Sequence, residues 1–251
     1  MITYRQSGTF GDTIYSLSVA ARLKKPGKFF VHLFNVEGCA RAYGYREEHI
    51  SNDHRHRYTQ EDYNLLAPLL QRQPYITEVA TYDGSPITYD LDKFRGIWNR
   101  TMVGNYLEIF AHTFDCPYSL EPWLECDPIK EATVVINRSE RHHSDRGDLK
   151  DTWHHLLEIS DAKNNGIFVG TPHEHEKFVQ EFGVPVKYRP VKDLLEMANL
   201  IGGADLFIGN QSSAYSIAVG IGATTVLERR SGVVDAHNEC YFDRGPKSHY
   251  F

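Results

Sequence analysis

Cysteine is scarce in this chain, and its spacing excludes several kinds of protein. The four cysteines (Cys39, Cys116, Cys126 and Cys240) show no Cys-x-x-Cys pattern. Neither a disulfide scaffold nor a cysteine-based metal site is therefore expected, and reduced thiols suit a cytoplasmic protein. The amino terminus also lacks a basic segment followed by a long apolar run, so no signal peptide is predicted.

An excess of basic charge is missing as well. Across 251 residues, 27 Lys and Arg stand against 33 Asp and Glu, which gives a net charge of −6. Phosphate binding needs clustered Lys and Arg, so coating DNA or an anionic membrane is not expected to be the main activity. The long uncharged stretch at residues 206–227 carries polar residues near its middle, which oppose insertion into a membrane.

Motifs of several enzyme classes do not occur. The chain has neither Gly-x-Gly-x-x-Gly nor Gly-x-x-x-x-Gly-Lys-[Ser/Thr], which disfavours a dehydrogenase and a P-loop phosphotransferase. A serine hydrolase would need Gly-x-Ser-x-Gly, which is also missing. Among 13 histidines, the run His173-Glu-His-Glu176 lacks the His-Glu-x-x-His spacing. Neither a metal site nor a bound cofactor is predicted.

The C-terminal half alternates between short apolar runs and helical patterns. The apolar runs predict strands at residues 131–137, 166–170, 184–188, 205–209 and 224–228. Helical periodicity predicts helices at about residues 149–157, 172–182, 191–201 and 214–219. This alternation predicts an α/β domain with a doubly wound parallel sheet over residues 128–251.

The N-terminal half begins in the same way. A strand at residues 2–5, a glycine-containing loop at residues 6–11, a helix, and a strand at residues 28–34 are predicted. Residues 38–66 and 84–127 show no clean periodicity. A second α/β domain is expected over residues 1–127, with the boundary near Glu125–Pro128.

Polar and glycine-rich segments follow several predicted strands, where open parallel sheets bind ligands. Loops that open onto helix N-termini present N–H groups to phosphate, and arginine adds charge-assisted bonds. Glu228, at a strand end, is predicted to accept hydrogen bonds from ribose hydroxyls. The predicted diphosphate-binding residues are Asn137, Arg138, Ser139, Arg141, Gly209, Asn210, Gln211, Ser212 and Ser213, and the loop after the first strand adds Gly8, Thr9 and Gly11 as phosphate or acceptor contacts.

Two segments resemble the heptosyltransferase-like glycosyltransferases of family 9, in a compact bacterial or phage form. Residues 11–23, which open with Gly11-Asp12, look like the family's first helix, and residues 204–220 look like its donor segment. The resemblance implies a GT-B fold of two facing, Rossmann-like α/β domains. It implies an inverting, metal-independent transfer of a sugar from a nucleotide-diphosphate sugar to an acceptor hydroxyl, with Asp12 as the general base.

Some alternatives stay open. Asp12 has a structural interpretation as the N-cap of a helix that starts at Thr13. Gln211 and Ser216 stand where the family usually has Asp and His. These departures leave the donor unidentified and allow a nucleotide-sugar binding protein without catalysis. A nucleotide-binding enzyme of another class, such as an epimerase, is a further alternative.

The acceptor is expected to be a carbohydrate or a modified nucleobase. The segment His54-Arg-His-Arg-Tyr58 is basic and aromatic, so Arg55 and Arg57 are candidate contacts to an anionic acceptor. If that acceptor is a hydroxymethylated base in DNA, the base must be flipped out of the duplex. The alternative for this segment is a solvated surface loop. The donor base, the sugar and the oligomeric state do not follow from the sequence.

Overall fold

A computed structural model describes residues 1–33, 58–96, 104–140, 142, 144, 147–229 and 240–251 of the chain. Two compact units make up these residues. The first lies within Met1–Glu125 and takes in Cys240 and Tyr241, and the second begins at Cys126 and takes in Phe242–Phe251.

The first unit contains a four-stranded sheet in the order β3-β2-β1-β4 with all pairs parallel. Its strands are β1 (Ile2–Gln6), β2 (Gly27–Val31), β3 (Ile76–Thr81) and β4 (Tyr89–Asp90). A 3₁₀ turn at Leu91–Lys93 follows β4 directly. The helices described in this unit are α1 (Phe10–Leu23), α2 (Gln60–Gln71) and α3 (Tyr106–Phe114).

The second unit contains a six-stranded sheet in the order β10-β9-β8-β5-β6-β7, again with parallel pairs. Its strands are β5 (Val134–Asn137), β6 (Gly166–Phe168), β7 (Lys187–Tyr188), β8 (Leu206–Asn210), β9 (Thr225–Glu228) and β10 (Ser248–Tyr250). Its described helices are α4 (Leu149–Ile159), α5 (Ala162–Asn165), α6 (Pro172–Phe182), α7 (Leu194–Gly203) and α8 (Ser213–Gly220). The predicted α/β fold with parallel sheets is confirmed.

Several helix and strand ends differ from the sequence prediction for local reasons. Helix α7 begins at Leu194 because Asp193 is its N-cap and accepts a hydrogen bond from the Glu196 N–H at 2.8 Å. Strand β7 is short, and Pro185 just before it has no N–H to donate to a ladder. The sequence also missed α2, α3, β3, β4 and β10, most of which fall where no clean periodicity exists.

Helix α1 is buried on most of its surface, which fixes the position of its first turn. Tyr15 stacks on Tyr106 of α3 with ring centroids 4.8 Å apart. The indole Nε1 of Trp123 donates a hydrogen bond to the Ile14 carbonyl at 2.8 Å. Because helix and neighbours are packed together, Asp12 projects from a rigid support.

Trp153 lies at the centre of the apolar cluster of the second unit and is fully buried. Its ring centroid lies 5.2 Å from that of Phe178 and 5.3 Å from that of Phe182, both on α6. Burial of aromatic side chains of this size contributes several kcal/mol, so this cluster anchors α4 and α6 together.

No helix in the described part of the chain is long and apolar enough to span a membrane. The uncharged stretch at residues 206–227 instead folds as β8, α8 and most of β9.

Candidate functional site

Asp12 lies in the first turn of α1, just beyond the carboxyl end of β1. Thr9 is the N-cap, and its hydroxyl accepts a hydrogen bond from the Asp12 N–H at 3.4 Å. In return, Asp12 Oδ2 accepts one from the Thr9 N–H at 3.3 Å. Asp12 therefore occupies the N3 position of a capping box whose N-cap is Thr9. The interpretation of Asp12 as the N-cap of a helix starting at Thr13 is wrong, because the helix begins earlier. Gly11 lies inside this first turn.

Arg95 supplies a positive charge directly beside Asp12. Its Nη2 donates to Asp12 Oδ2 at 2.7 Å, and its Nε lies 3.6 Å from Asp92 Oδ1. Asp92 is buried, and its Oδ1 also accepts a hydrogen bond from the Ser7 N–H at 3.3 Å. No motif in the sequence pointed to Arg95 or Asp92, because both follow β4 in the stretch without clean periodicity.

Gly8 is shaped by this ion pair. A Cβ atom at Gly8 would lie 2.1 Å from Arg95 Nη2 and 2.8 Å from Asp12 Oδ2. The φ of Gly8 is not in the left-handed region, so the backbone itself does not require glycine there. Gly8 is needed because the Arg95–Asp12 pair occupies the space of a side chain.

Tyr58 completes the polar group around α1. Its hydroxyl lies 2.5 Å from Thr13 Oγ1, and its side chain is buried. Burial holds the pKa of the Tyr58 phenol well above its usual value, and the Asp12 carboxylate raises this pKa further. Tyr58 therefore stays protonated at neutral pH. We call Asp12, Asp92, Arg95 and Tyr58, at the carboxyl ends of the first sheet, the first edge cluster.

In the second unit, Asn210 joins the ends of β8 and β5. Its Oδ1 accepts a hydrogen bond from the Ser139 N–H at 2.9 Å, and its Nδ2 donates to the Ser139 carbonyl at 2.9 Å. Asn137 donates through Nδ2 to the Val169 carbonyl at 2.8 Å. At Gly209 a Cβ would lie 2.4 Å from the Asn137 carbonyl oxygen. The carboxyl ends of β5 and β8, from which the predicted donor loops begin, are therefore held in place by Asn137, Gly209 and Asn210.

Glu228 is fully buried, and four donors contact its carboxylate. Arg138 Nε and Trp153 Nε1 donate to Oε2 at 2.7 and 2.8 Å. The Ser144 N–H and Arg138 Nη2 donate to Oε1 at 2.6 and 3.3 Å. Two carboxylate oxygens offer about four acceptor positions in all. Protein donors therefore occupy these positions in this structure, and the contact of Glu228 to ribose hydroxyls stays a prediction. We call Arg138, Glu228, Trp153 and Ser144 the second edge cluster.

Arg138 lies between two carboxylates. Besides Glu228, it contacts Glu181 through Nη1 at 2.7 Å, and its guanidinium carbon lies 4.9 Å from the centre of the Phe182 ring. One positive charge thus faces two negative charges, which disfavours a diphosphate at the same place. In this arrangement Arg138 is ion-paired with Glu228 and Glu181, and its contact to a diphosphate stays a prediction.

The loop before α8 is more open to ligands. Gln211, Ser212 and Ser213 are partly exposed at the carboxyl end of β8. Ser212 is the N-cap, and its hydroxyl accepts a hydrogen bond from the Tyr215 N–H at 3.3 Å. Ser216 is buried inside α8 and donates its hydroxyl to the Ser213 carbonyl at 2.7 Å. Ser216, which stands where the resembled family usually has His, is therefore a buried residue that bonds within its own helix.

Some predicted residues lie outside the described part of the chain, namely Arg55, Arg57 and Arg141. Their contacts to an anionic acceptor and to a diphosphate remain predictions. His173 lies 3.0 Å from Glu140 Oε1 at the surface. Within the described ranges, no group of three or more His, Cys, Asp and Glu side chains is placed to hold a metal ion.

Comparisons with known proteins find solved structures with a similar fold. No protein-family model matches the chain. No curated protein matches its sequence. The chain is similar to the structure of a glycosyl transferase of family 9 from Veillonella parvula DSM 2008, with a TM-score of 0.53 and 10% identity over 90% of this chain and 79% of that one.

A second similar structure is the dodecameric, iron-containing heptosyltransferase TibC of enterotoxigenic E. coli in complex with ADP-D-β-D-heptose. The TM-score is 0.51 at 14% identity, over 98% of this chain and 62% of that one. These likenesses confirm the fold expected from the resemblance. The TM-scores of 0.53 and 0.51 establish a shared fold, and at identities of 10 and 14% they establish no more than that, so the activity is argued from the residues of the site.

Proposed function

We propose that the protein is a glycosyltransferase that moves a sugar from a nucleotide-diphosphate sugar to an acceptor hydroxyl. The observation that supports this most is the carboxylate of Asp12. It lies beyond the end of β1, where parallel sheets bind ligands. It is ion-paired with Arg95, yet 11% of its side chain is still exposed to solvent. The likeness of the fold to that of a family 9 glycosyltransferase adds to this support.

In the proposed reaction Asp12 is the general base. The acceptor oxygen forms a bond to the anomeric carbon of the sugar as the bond from that carbon to the diphosphate breaks. The proton of the acceptor hydroxyl passes to the Asp12 carboxylate, and the nucleoside diphosphate leaves with the electron pair. In-line attack inverts the configuration at the anomeric carbon.

On the donor side, we propose that the loop Gln211–Ser213 binds the diphosphate. The N-terminus of α8 presents backbone N–H groups and the positive end of the helix dipole, and both stabilise a leaving diphosphate. Ser139 is partly exposed beside this loop, and Arg141 remains a candidate for charge. In this mechanism the helix N-terminus takes the role that a metal ion has in other enzymes.

The remaining parts of the proposal concern partners and location. We propose a carbohydrate as the acceptor, with a modified nucleobase as the alternative that Arg55 and Arg57 would serve. We also propose a cytoplasmic location, because four cysteines without close spacing suit a reducing compartment.

A thermal-shift screen with UDP, ADP, GDP, CDP and dTDP tests the donor site, with NAD as the control. A ligand at about 100 times its dissociation constant adds about 2.7 kcal/mol to the free energy of unfolding. We expect one diphosphate to raise the melting temperature clearly while NAD does not. No shift with any of the five would contradict a preformed donor site.

The variant Asp12→Asn tests the base. We expect transfer to fall by about 10²–10⁴-fold, because the amide cannot accept the proton, while nucleoside diphosphate affinity is retained. Asp62→Asn is a matched control, because Asp62 holds the same capping-box position in α2 with Thr59. Equal loss of turnover in both variants would contradict the role of Asp12. Donor binding without turnover in the wild type would favour a nucleotide-sugar binding protein.

A further inference from the structure

The first edge cluster contains an arginine held between two carboxylates from different parts of the chain. From this geometry we infer that Arg95 is the positioning residue for Asp12, fixing its carboxylate for proton transfer. The inference rests on the proposed function, in which Asp12 is the base. It adds a residue for which neither the sequence pattern nor the comparisons give a role.

Two hydrogen bonds from described residues hold Oδ2 of the Asp12 carboxylate. Arg95 Nη2 donates to Oδ2 at 2.7 Å, and the Thr9 N–H donates to Oδ2 at 3.3 Å. Donors from two directions on one oxygen fix the plane of the carboxylate. A general base needs such orientation because proton transfer depends on the direction of approach of the acceptor hydroxyl.

Asp92 holds the other end of the guanidinium. Its side chain is completely buried, its Oδ1 lies 3.6 Å from Arg95 Nε, and the same oxygen accepts the Ser7 N–H. The planar fork of arginine reaches both carboxylates at once, which the single ammonium of lysine cannot reproduce. Asp92 therefore determines where Arg95 lies, and Arg95 in turn determines where Asp12 lies.

Gly8 provides an independent way to disturb the pair. Its Cβ would lie 2.1 Å from Arg95 Nη2 and 2.8 Å from Asp12 Oδ2, so a methyl group there pushes into the ion pair from the side. Gly8→Ala thus disturbs the contact between the guanidinium and the carboxylate while both charges remain in the protein. Arg95→Met removes the charge and keeps the length of the aliphatic stem.

Arg5→Met is the matched control. Arg5 forms a similar pair with Asp90 on the same sheet, with Nη2 2.6 Å from Asp90 Oδ2 and 13% of the arginine side chain exposed. For Arg95 the exposed fraction is 12%. A purely structural loss should therefore be alike in the two variants, whereas an effect on Asp12 is expected only in Arg95→Met.

The first readout needs neither donor nor acceptor. In ¹³C-labelled protein, the Asp12 carboxyl resonance is assigned by its loss in Asp12→Asn and followed with pH. In the described part of the chain, the charged and titratable groups of the first edge cluster beside it are Arg95, Asp92 and Tyr58, and the phenol of Tyr58 does not titrate in this range. We expect the midpoint of Asp12 to rise by about one pH unit or more in Arg95→Met, because a cation beside it is lost. Gly8→Ala should shift it in the same direction, and Arg5→Met should not.

The second readout is the pH profile of transfer. In Arg95→Met the acid limb of kcat/KM should move to higher pH with the Asp12 midpoint. At the pH optimum kcat should fall by about tenfold or more, while the KM for the donor changes less than about twofold. Arg95→Lys should restore kcat only in part, because lysine returns the positive charge but cannot contact both carboxylates as the planar guanidinium does.

The outcomes separate this inference from the proposed function. An unchanged Asp12 midpoint in folded Arg95→Met, and in Gly8→Ala, overturns the inference whatever the activity. If Arg95→Met does not fold, the Gly8→Ala titration decides. A shifted midpoint in a protein that transfers no sugar from any donor overturns the proposed function, and with it the catalytic purpose of the pair.

Discussion

The two edge clusters have the same chemical parts and opposite accessibility. Each joins an arginine to a carboxylate at the carboxyl ends of a parallel sheet. Glu228 is completely buried and receives four donors, whereas Asp12 has 11% of its side chain exposed. A carboxylate that is saturated with protein donors stabilises the fold, while one that still meets solvent can meet a substrate. Accessibility, and not residue type, therefore distinguishes the two clusters, and it supports the proposed role of Asp12 in the first.

The same difference determines how the unfavourable free energy of burying each ion pair is offset. Burying two charges is unfavourable unless hydrogen bonds compensate for the lost water. In the second edge cluster the indole of Trp153 and the Ser144 N–H provide that compensation. In the first edge cluster the buried Asp92 shares Arg95 with Asp12, and part of the pair remains in contact with solvent.

The largest expected effect on stability separates the two clusters. Arg138→Met leaves the Glu228 carboxylate buried without its cation, and we expect the free energy of unfolding to fall by about 3–5 kcal/mol. Urea unfolding measures this. The control is Arg189→Met, because Arg189 pairs with Glu131 at 2.9 Å in a partly exposed position and should cost less than about 1 kcal/mol. Similar losses of unfolding free energy in the two variants would contradict a structural role for the second edge cluster.

A second prediction concerns acid and the first sheet. Burial, helped by the Arg5 guanidinium, lowers the pKa of His32 to about 4 from 6.5. The unfolded chain binds a proton between these values and the folded protein does not, so this contribution is complete above pH 6.5 and is lost toward pH 4. We expect a loss of about 3 kcal/mol from His32 by pH 4.

The measurement is urea unfolding at several pH values, with His32→Phe for comparison. Among the described residues, no hydrogen-bond partner faces either ring nitrogen of His32, and its ring packs edge-on against Tyr82 at 5.0 Å. Phenylalanine should keep this packing and remove the proton uptake. An equally steep loss of stability in His32→Phe would assign the acid sensitivity to other groups.

The smallest expected effect compares two helix caps. Thr9 and Thr171 each form a capping box, with Asp12 and Glu174 respectively. Alanine at either position should cost about 1 kcal/mol of stability. Only Thr9→Ala should also reduce the rate of transfer, because the lost hydroxyl accepts the Asp12 N–H and so holds the turn from which the carboxylate projects. A loss of transfer in Thr171→Ala of the same size would show that the rate follows stability alone.

The pattern of the second unit was largely legible in the sequence. Alternating apolar runs and helical periods located β5, β6, β8 and β9 and most of the intervening helices, because buried parallel strands need unbroken apolar side chains. In the first unit, the sequence pattern predicted the helices and strands only as far as β2. Helices α2 and α3 carry mixed polar and aromatic residues, and α2 includes Pro68, so no clean period marked them.

The candidate site divides in the same manner. Gly8, Thr9 and Asp12 are close in sequence, and a local motif pointed to all three. Arg95 lies 83 residues from Asp12, and its contact exists only because β4 pairs with β1. For the donor side, sequence position correctly placed Arg138 and Glu228 at strand ends, but it did not reveal that they bond to each other.

The sequence alone was enough to predict an α/β fold with parallel sheets, polar loops after several of the strands, and a carboxylate at the start of the first helix. These are local properties, set by side-chain periodicity and by helix-capping chemistry. Tertiary structure alone decided which charges are partners and which are exposed. Pairing across 83 or 90 residues depends on strand order, and burial depends on packing from all sides, so neither quantity is contained in a local pattern.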